Sequence, residues 1–273
     1  MGTKRNGFTL IEIVIVVMAI GFMLAGALVG LSVREAAELN SVINDYSVYK
    51  SAYNNFTNHY NELPGDFKAA SSVWPSNCVS NSNPSDCNGN GNGIIGDNVN
   101  ERFLFWKHLD LAGMLSTDIA IFDPAAPYHK SLKIGTSVPA SKINGGGYIV
   151  FGQSSYWPDN INVMLLFGHD PATTEMPGNL SVKQIFAIDQ KTDDGAIDDK
   201  GNFIGAMTGN IRATGEAPNF TMSCLAGDTK GLTAAINNGA ETKAKAKLVK
   251  EIAGGIYYNI QSTKPCLLFM ALN

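Results

Sequence analysis

The chain has 273 residues, 45% of them hydrophobic, which is ordinary for a folded protein of one large domain or two modest ones and argues against general disorder. Its formal charge of −4, from 20 basic and 24 acidic residues, argues against broad nucleic-acid binding. All four cysteines follow the most apolar stretch of the chain, so the even number favours disulfides in an oxidising compartment.

The first element is an unbroken apolar run from Ile13 to Leu31. About 19 residues rising ~1.5 Å each cover close to 30 Å, which is enough to span a bilayer as a helix. Lys4 and Arg5 precede the run, and the positive-inside rule therefore places the N-terminus in the cytoplasm. A secretory signal peptide would have a shorter run and a small-residue cleavage site, so the sequence predicts a membrane anchor with an extracytoplasmic C-terminal part.

Glu12 is an unusual residue at the entrance of this helix, because it places a carboxylate among apolar side chains. An intramembrane carboxylate is costly and usually has a partner. An α-amino group created by cutting the chain just upstream would supply the opposite charge, and Gly7 before Phe8 suits a protease cleft. The alternative is an ordinary anchor in which Glu12 reaches the lipid headgroups.

The segment from Lys4 to Glu12 resembles the leader and cleavage motif of type IV prepilins and type II secretion pseudopilins. The resemblance implies cleavage between Gly7 and Phe8 and N-methylation of the new Phe8 amine. It also implies that Glu12 pairs with the N-terminal ammonium of a neighbouring subunit and so sets the register of assembly. The chain departs from many family members in having Val29 where they carry a proline.

A helical pattern continues beyond the apolar run, because large apolar residues recur at steps of three and four. We expect this stripe to pack on a sheet; it comprises Leu39, Ile43, Tyr46, Tyr49, Tyr53, Phe56 and Tyr60. The Leu63-Pro64-Gly65-Asp66 stop, which also resembles one found in some pilin-like proteins, ends the helix. We therefore divide the chain into a leader (1–7), a transmembrane or filament-core helix (8–33), its amphipathic continuation (34–62) and an extracytoplasmic head (63–273).

The head shows alternating helix and strand signals. Helices are predicted over Glu101 to Leu115, from the capping box at Ser181 to Asp189, and over Glu241 to Ala253. Strands are predicted at Gly147 to Gly152, Asn162 to Phe167, Ile256 to Ile260 and Cys266 to Leu272, the last hard to distinguish from a buried tail. Together with the resemblance, these elements predict an α+β pilin-like fold: a long N-terminal helix on a mainly antiparallel sheet with disulfide-stapled loops.

The cysteines predict two disulfides. The nearest pairing joins Cys78 to Cys87 across a Ser/Asn/Pro loop and Cys224 to Cys266 near the C-terminus, although the sequence leaves the connectivity open. A C-terminal disulfide loop also resembles many type IV pilins. Zinc is disfavoured as the rival interpretation, because there is no CxxC motif and no histidine near either pair.

Residues 86–97, here called the Asn/Gly loop, have the spacing of a calcium loop. Oxygen-bearing side chains alternate, a glycine stands sixth and a carboxylate twelfth; the candidate ligands are Asp86, Asn88, Asn90, Asn92 and Asp97. Gly93 stands where a small hydrophobe is usual, which weakens the match. A solvated Asn/Gly turn is the alternative, so calcium is a candidate ligand and no cofactor is required.

A second group of carboxylates follows the Ser181 helix. It comprises Asp189, Asp193, Asp194, Asp198 and Asp199, close enough in sequence to repel one another unless they are solvated or bound to a cation. The preferred interpretation is a charged surface turn, with calcium as the weaker alternative. A third charged feature, Lys243, Lys247 and Lys250 on one helical face, is best explained as solvated rather than as a nucleic-acid site.

No catalytic motif stands out, and the four histidines are scattered along the chain, so we expect a protein that is not an enzyme. The resemblance implies a structural subunit, minor or specialised given its large head, of a type IV pilus or a type II secretion pseudopilus. Expected partners are like or related pilin subunits, the prepilin peptidase and methyltransferase, and the inner-membrane assembly platform with its ATPase. Before assembly the chain would cross the bacterial inner membrane once; afterwards it would lie in a periplasmic or cell-surface filament.

The rival class is a membrane-anchored extracytoplasmic domain that binds or hydrolyses a ligand and uses the helix only as an anchor. It predicts an uncut Gly7-Phe8 bond and indifference to substitution of Glu12. The sequence does not separate a pilus from a secretion pseudopilus or a DNA-uptake machine.

Overall fold

A computed structural model gives the protein one long N-terminal helix, shorter helices and a central antiparallel sheet. This is the α+β arrangement that the sequence predicted. The residues described are 9–75, 87–96, 99–116, 119, 132–143, 145–152, 161–168, 176–193, 195–200, 202–205, 208–214, 224–227, 256–259, 262 and 265–272. The predicted helix over 241–253 lies outside them.

Helix α1 runs over Leu10–Tyr60, a length of roughly 75 Å at ~1.5 Å per residue. Thr9 is its N-cap, and Asn61 ends it in the left-handed conformation with φ 52°. Asparagine tolerates this conformation better than most residues, so it suits a helix C-terminus. The predicted end near Tyr60 is confirmed, three residues before Leu63.

The aromatic stripe of α1 packs into the head, as predicted. Leu39, Tyr46, Tyr49, Tyr53 and Phe56 are buried, and Ile43 and Tyr60 pack partly buried against the same core. The stripe contacts helices as well as the sheet, because the Tyr49 ring lies edge-on to Trp106 (5.0 Å between centroids) and to Tyr148 (5.3 Å). The Tyr46 hydroxyl also donates a 2.7 Å hydrogen bond to the Ala271 carbonyl in the sheet.

Within the described ranges, three further helices follow: α2 (Ala70–Val73), α3 (Val99–Leu111) and α4 (Val182–Thr192). The α3 helix ends four residues earlier than predicted, and Gly113 at φ 68° lies in the turn that follows it. The capping box predicted for α4 is present: the Gln184 N–H donates to the Ser181 hydroxyl oxygen, and the Gln184 side chain accepts from the Ser181 N–H.

The main sheet has four antiparallel strands in the order β1-β2-β8-β5. These strands are β1 (Gly147–Phe151), β2 (Val163–Phe167), β5 (Ile211–Thr214) and β8 (Leu267–Ala271). β8 lies in the centre, between β2 and β5, so the end of the chain is a core strand and not a buried tail. Its five residues are all buried.

The described part of the head also has two small antiparallel ladders: β3 (Ala196–Ile197) with β4 (Phe203–Ile204), and β6 (Leu225–Gly227) with β7 (Ile256–Tyr258). A disulfide joins Cys224 to Cys266, with 6.1 Å between the Cα atoms. It connects the start of β6 to the start of β8 across 42 residues of sequence, for which loop entropy gives roughly 4 kcal/mol.

Candidate assembly site

The first turn of α1 is closed by a capping box between Thr9 and Glu12. The backbone N–H and the hydroxyl of Thr9 each donate a 2.7 Å hydrogen bond to Glu12 Oε2. In return, the Glu12 N–H donates to Thr9 Oγ1 at 3.3 Å. Both donors use the same carboxylate oxygen, so the predicted register residue is held by its own helix.

The apolar half of α1, residues 10–33, is exposed on all sides. Leu10 is 83% exposed and Phe22 is 80% exposed, and large apolar residues between and beyond them are exposed as well. Soluble monomers rarely leave a continuous apolar surface of this extent in water. Within the described residues, α1 is the helix long and apolar enough to cross a membrane. Lipid or other apolar helices would cover it.

The predicted cleavage residues Gly7 and Phe8 lie outside the described residues, so their geometry is not part of this site. Glu12 lies in the first turn of a helix whose first half is apolar and exposed, and its role in the register of assembly stays a prediction. Thr9 was not singled out from the sequence. Its signal was the Thr-x-x-Glu spacing before an apolar run, the same capping-box pattern that was recognised at Ser181.

The described part of the Asn/Gly loop, residues 87–96, directs its asparagine oxygens at the backbone. Asn88 Oδ1 accepts from the Ser71 N–H at 2.8 Å, Asn90 Oδ1 from the Asn92 N–H at 2.9 Å, and Asn92 Oδ1 from the Ile94 N–H at 2.8 Å. The other two predicted calcium ligands, Asp86 and Asp97, lie outside the described residues. Calcium at this loop therefore stays a prediction.

Two buried carboxylates outside the predicted ligand set hold this loop in place. Asp66 Oδ1 accepts from the Gly91 N–H at 2.6 Å and the Asn92 N–H at 3.2 Å, and Asp66 Oδ2 accepts from the Gly93 N–H at 2.7 Å. Glu101 accepts from the N–H groups of Asn90 (3.1 Å) and Gly96 (2.9 Å). Together the two carboxylates accept hydrogen bonds from five backbone N–H groups of the loop.

His108 joins the same loop to the turn after α1. Its Nδ1 accepts from the Gly65 N–H at 2.9 Å, which leaves Nε2 protonated to donate to the Cys87 carbonyl at 2.9 Å. Burial lowers the pKa of His108 to about 4. Gly65 is required here, because its φ is 88° and a Cβ would lie 2.5 Å from the Glu101 carbonyl oxygen. Sequence reasoning treated His108 as structural and missed its two backbone partners.

The acidic residues in the last turn of α4 and beyond it have separate protein partners. Asp189 is buried and accepts from the Tyr258 hydroxyl at 2.8 Å, whereas Asp193 accepts from the Ile211 N–H at 3.1 Å. Asp198 closes the β3-β4 turn by accepting from the Asn202 N–H at 2.7 Å, and its hydrogen bonds with Asn202 lower its pKa. Asp194 lies outside the described residues.

Among the described residues, no three histidine, cysteine, aspartate or glutamate side chains come together to hold a metal ion. Calcium at the acidic residues after α4 is thus also a prediction without a described ligand group.

Cys224 and Cys266, predicted as a pair, are bonded to each other. Cys87 is also disulfide-bonded, and its predicted partner Cys78 lies outside the described residues. Cys87 is buried beside His108, so this bond lies at the start of the described Asn/Gly loop.

An open trough of about 630 Å³ lies between α1 and α4 and is the candidate ligand site for the rival class of function. Its lining is mostly polar and includes Lys50 and Lys191, whose ammonium groups bond the Tyr46 hydroxyl and Asn40 Oδ1. Loss of solvent lowers the pKa of Lys50. The described lining residues include no histidine, cysteine or carboxylate.

Residues 2–28 match the family model of the prokaryotic N-terminal methylation motif, which is the signature of type IV pilins and pseudopilins. No curated protein and no solved structure matches the chain. The match covers the candidate assembly site, including Thr9, Glu12 and most of the apolar half of α1. The chain therefore carries the N-terminal methylation motif of type IV pilins and pseudopilins, together with a candidate membrane-spanning helix.

Proposed function

We propose that the protein is a structural subunit, minor or specialised, of a type IV pilus or a type II secretion pseudopilus. The prepilin peptidase cuts it after Gly7, and Phe8 is N-methylated. Subunits then leave the bilayer and pack their apolar helices in the centre of a filament. The single observation that carries this proposal is Glu12 in the first turn of a fully exposed apolar helix, inside the matched methylation motif.

The charge of Glu12 is the first step of the argument. A carboxylate in an apolar environment is stable only with a compensating charge or with hydrogen bonds. Thr9 supplies two hydrogen bonds to one oxygen but no positive charge. The ammonium of a processed Phe8 on a neighbouring subunit would supply it, and each such pair fixes one subunit against the next along the filament axis.

The exposed surface of α1 is the second step. In the monomer, lipid covers residues 10–33, and in the filament the same residues of other subunits replace lipid. The head keeps its own core, because the buried stripe of α1 begins at Leu39, beyond the apolar half. Extraction from the membrane therefore leaves the packing of the head unchanged. The assembly platform and its ATPase are the partners that such extraction requires.

The experiment is expression in a cell with an active prepilin peptidase, followed by mass spectrometry of the N-terminal peptide. We expect a peptide that begins at Phe8 and carries one added methyl group. Glu12→Gln and Glu12→Ala should both insert into the membrane and fold, yet fail to enter filaments, since both lack the charge. Glu35→Gln is the matched control, because Glu35 lies on the same helix and bonds Gln184 of the head.

An intact leader, in cells where the peptidase processes another substrate, would exclude this function. It would favour a membrane-anchored extracytoplasmic domain that binds or hydrolyses a ligand, with the trough between α1 and α4 as its first site to test. Normal incorporation of Glu12→Gln into filaments would contradict the register role of Glu12 while leaving processing intact.

A further inference from the structure

The Asn/Gly loop contains three consecutive Asn-Gly pairs, Asn88-Gly89, Asn90-Gly91 and Asn92-Gly93. Asn-Gly is the dipeptide in which spontaneous deamidation is fastest, because glycine has no side chain to keep its backbone nitrogen away from the preceding asparagine. The asparagines of the last two pairs are exposed, and Asn88 is half-buried, so water reaches the loop. Three such pairs in one exposed loop need a structural reason to persist as asparagine.

The reaction requires only the chain and water. The glycine backbone nitrogen attacks Cγ of the asparagine, a new C–N bond closes a succinimide ring, and the Cγ–Nδ2 bond breaks. The side-chain nitrogen leaves as ammonia and takes the proton that the glycine nitrogen loses. Water then adds to one of the two ring carbonyls and opens the ring to aspartate or isoaspartate, with no oxidant or reductant involved.

All three attacking nitrogens are occupied in the fold. The Gly89 N–H donates to the Phe67 carbonyl at 3.1 Å. The Gly91 N–H donates to Asp66 Oδ1 at 2.6 Å, and the Gly93 N–H donates to Asp66 Oδ2 at 2.7 Å. A nitrogen whose hydrogen is held by a carboxylate is hard to deprotonate, because the negative charge that would form on it lies beside another negative charge.

The three side-chain amides under attack are held as well. Each asparagine Oδ1 accepts a hydrogen bond from a backbone N–H that is not the N–H of its own glycine: the donors are Ser71, Asn92 and Ile94. These bonds fix the direction of each amide plane. The amide must rotate out of them before Cγ can meet the following nitrogen, so both reacting groups of every pair are restrained.

We propose that residues 88–93 are a latent deamidation site, kept as asparagine by Asp66 at Asn90 and Asn92 and by the Phe67 carbonyl at Asn88. The asparagines are converted to aspartate or isoaspartate when the loop detaches from these groups. Conversion makes the detachment permanent, because each step adds a carboxylate beside the buried pair Asp66 and Glu101 and like charges repel. The mass of the chain would therefore increase with the time that the loop has spent detached.

The test is peptide mapping by mass spectrometry after ageing the full chain in detergent at mildly alkaline pH. The rates of conversion of Asn88, Asn90 and Asn92 are compared with those of a free peptide of residues 88–97 and of the same chain unfolded in urea. We expect conversion in the folded chain to be slower by roughly tenfold or more, since the loop must open before it reacts. Asp66→Asn should bring the rates of Asn90 and Asn92 close to the peptide rate, whereas Asp199→Asn, at an exposed position between β3 and β4, should leave them unchanged.

Equal rates in the folded chain and in the peptide would overturn the proposal, and this comparison needs no variant. An Asp66→Asn chain that keeps its near-ultraviolet circular dichroism and still converts at the wild-type rate would overturn the role of Asp66. Should Asp66→Asn fail to fold, amide hydrogen exchange in the wild-type chain decides: slow exchange at Gly91 and Gly93 supports the proposal, and free exchange at both contradicts it.

Discussion

The two halves of helix α1 share one backbone and have opposite surroundings. From Leu10 to Val33 the helix is apolar on all sides, and its large side chains are exposed. From Leu39 onward the apolar residues recur on one face, and that face is buried in the head. In the proposed function, the first half is buried by a membrane or by other subunits. The second half is part of the core of the head.

Each half also carries a carboxylate that accepts a hydrogen bond from a hydroxyl group. Glu12 accepts from Thr9, its neighbour in the same turn, while Asp45 accepts from Tyr148 at 2.9 Å, more than a hundred residues away in sequence. The bond at Glu12 can form in an isolated helix. The bond at Asp45 forms only in the folded head. The bond at Glu12 therefore belongs to the proposed role of α1 in assembly, and the bond at Asp45 belongs to the stability of the head.

The largest expected effect comes from truncating the same residue type in each half. Phe56 is fully buried and lies against the rings of Tyr60 and Phe67, so Phe56→Ala should lower the free energy of unfolding of the head by about 3–5 kcal/mol. Phe22→Ala, in the exposed half, should change it by less than about 0.5 kcal/mol. Urea unfolding in detergent, followed by near-ultraviolet circular dichroism, measures both.

Similar losses in the two variants would show that the apolar half contributes to the fold of the head, and the division of α1 into two roles would then fail. Phe22→Ala that preserves the head but reduces filament yield would sharpen the division instead.

The second prediction concerns the free energy of unfolding in acid and its dependence on His108, which bonds the turn after α1. The pKa of His108 is lowered to about 4 by burial, so below pH ~6.5 the unfolded chain takes up a proton that the folded chain refuses. The free energy of unfolding is therefore highest above pH ~6.5 and decreases as the pH falls toward 4. The total loss is roughly 3 kcal/mol, at 1.36 kcal/mol per pH unit. Urea unfolding at a series of pH values measures the slope.

His108→Gln is the control, whatever its stability at neutral pH, because glutamine does not titrate. The slope between pH 6.5 and 4 should be smaller in the variant by the amount assigned to His108. An unchanged slope would mean that other groups carry the acid sensitivity of the head.

The sequence alone predicted those elements whose signals lie within a few neighbouring residues. The period of α1, its end near Tyr60 and the Ser181 capping box depend on residues within a few positions of one another, and the structure agrees with all three. The pairing of β1 with β2 followed from two neighbouring apolar runs. The N-terminal motif is likewise local, and the family model that matches it spans residues 2–28.

What the sequence did not reveal depends on distant partners. The sequence predicted calcium ligands in the Asn/Gly loop because oxygen-bearing side chains alternate along it. The carboxylates that hold the loop in place, Asp66 and Glu101, lie outside it and could not be found from this local pattern. The central place of β8 needed β5, a four-residue strand with a weak pattern of its own. Local periodicity predicts elements, whereas contacts between elements require the fold.

The smallest expected effect on the free energy of unfolding concerns Asp45, the carboxylate in the buried half of α1. Its pH dependence has the opposite sign to that of His108. Burial raises the pKa of Asp45, an effect that the Tyr148 hydrogen bond and the charge of Lys142 oppose without cancelling. A raised pKa means that the ionised form costs the folded state more than the unfolded state. Stability is therefore greatest below the unfolded pKa of about 3.9 and is lost as the pH rises through the folded pKa.

Asp45→Asn should thus raise the free energy of unfolding at pH 7 by up to about 1 kcal/mol, because the amide keeps an oxygen for the Tyr148 hydroxyl and has no charge to bury. Asp45→Ala, which leaves that hydroxyl without its 2.9 Å partner, should instead lower it. Urea unfolding at pH 7 and again near pH 4 distinguishes the cases, since the advantage of asparagine should shrink in acid. A loss of stability in Asp45→Asn would mean that the ionised carboxylate stabilises the contact between α1 and the sheet, and that a charge contributes to the buried half of this helix as well as to its assembly half.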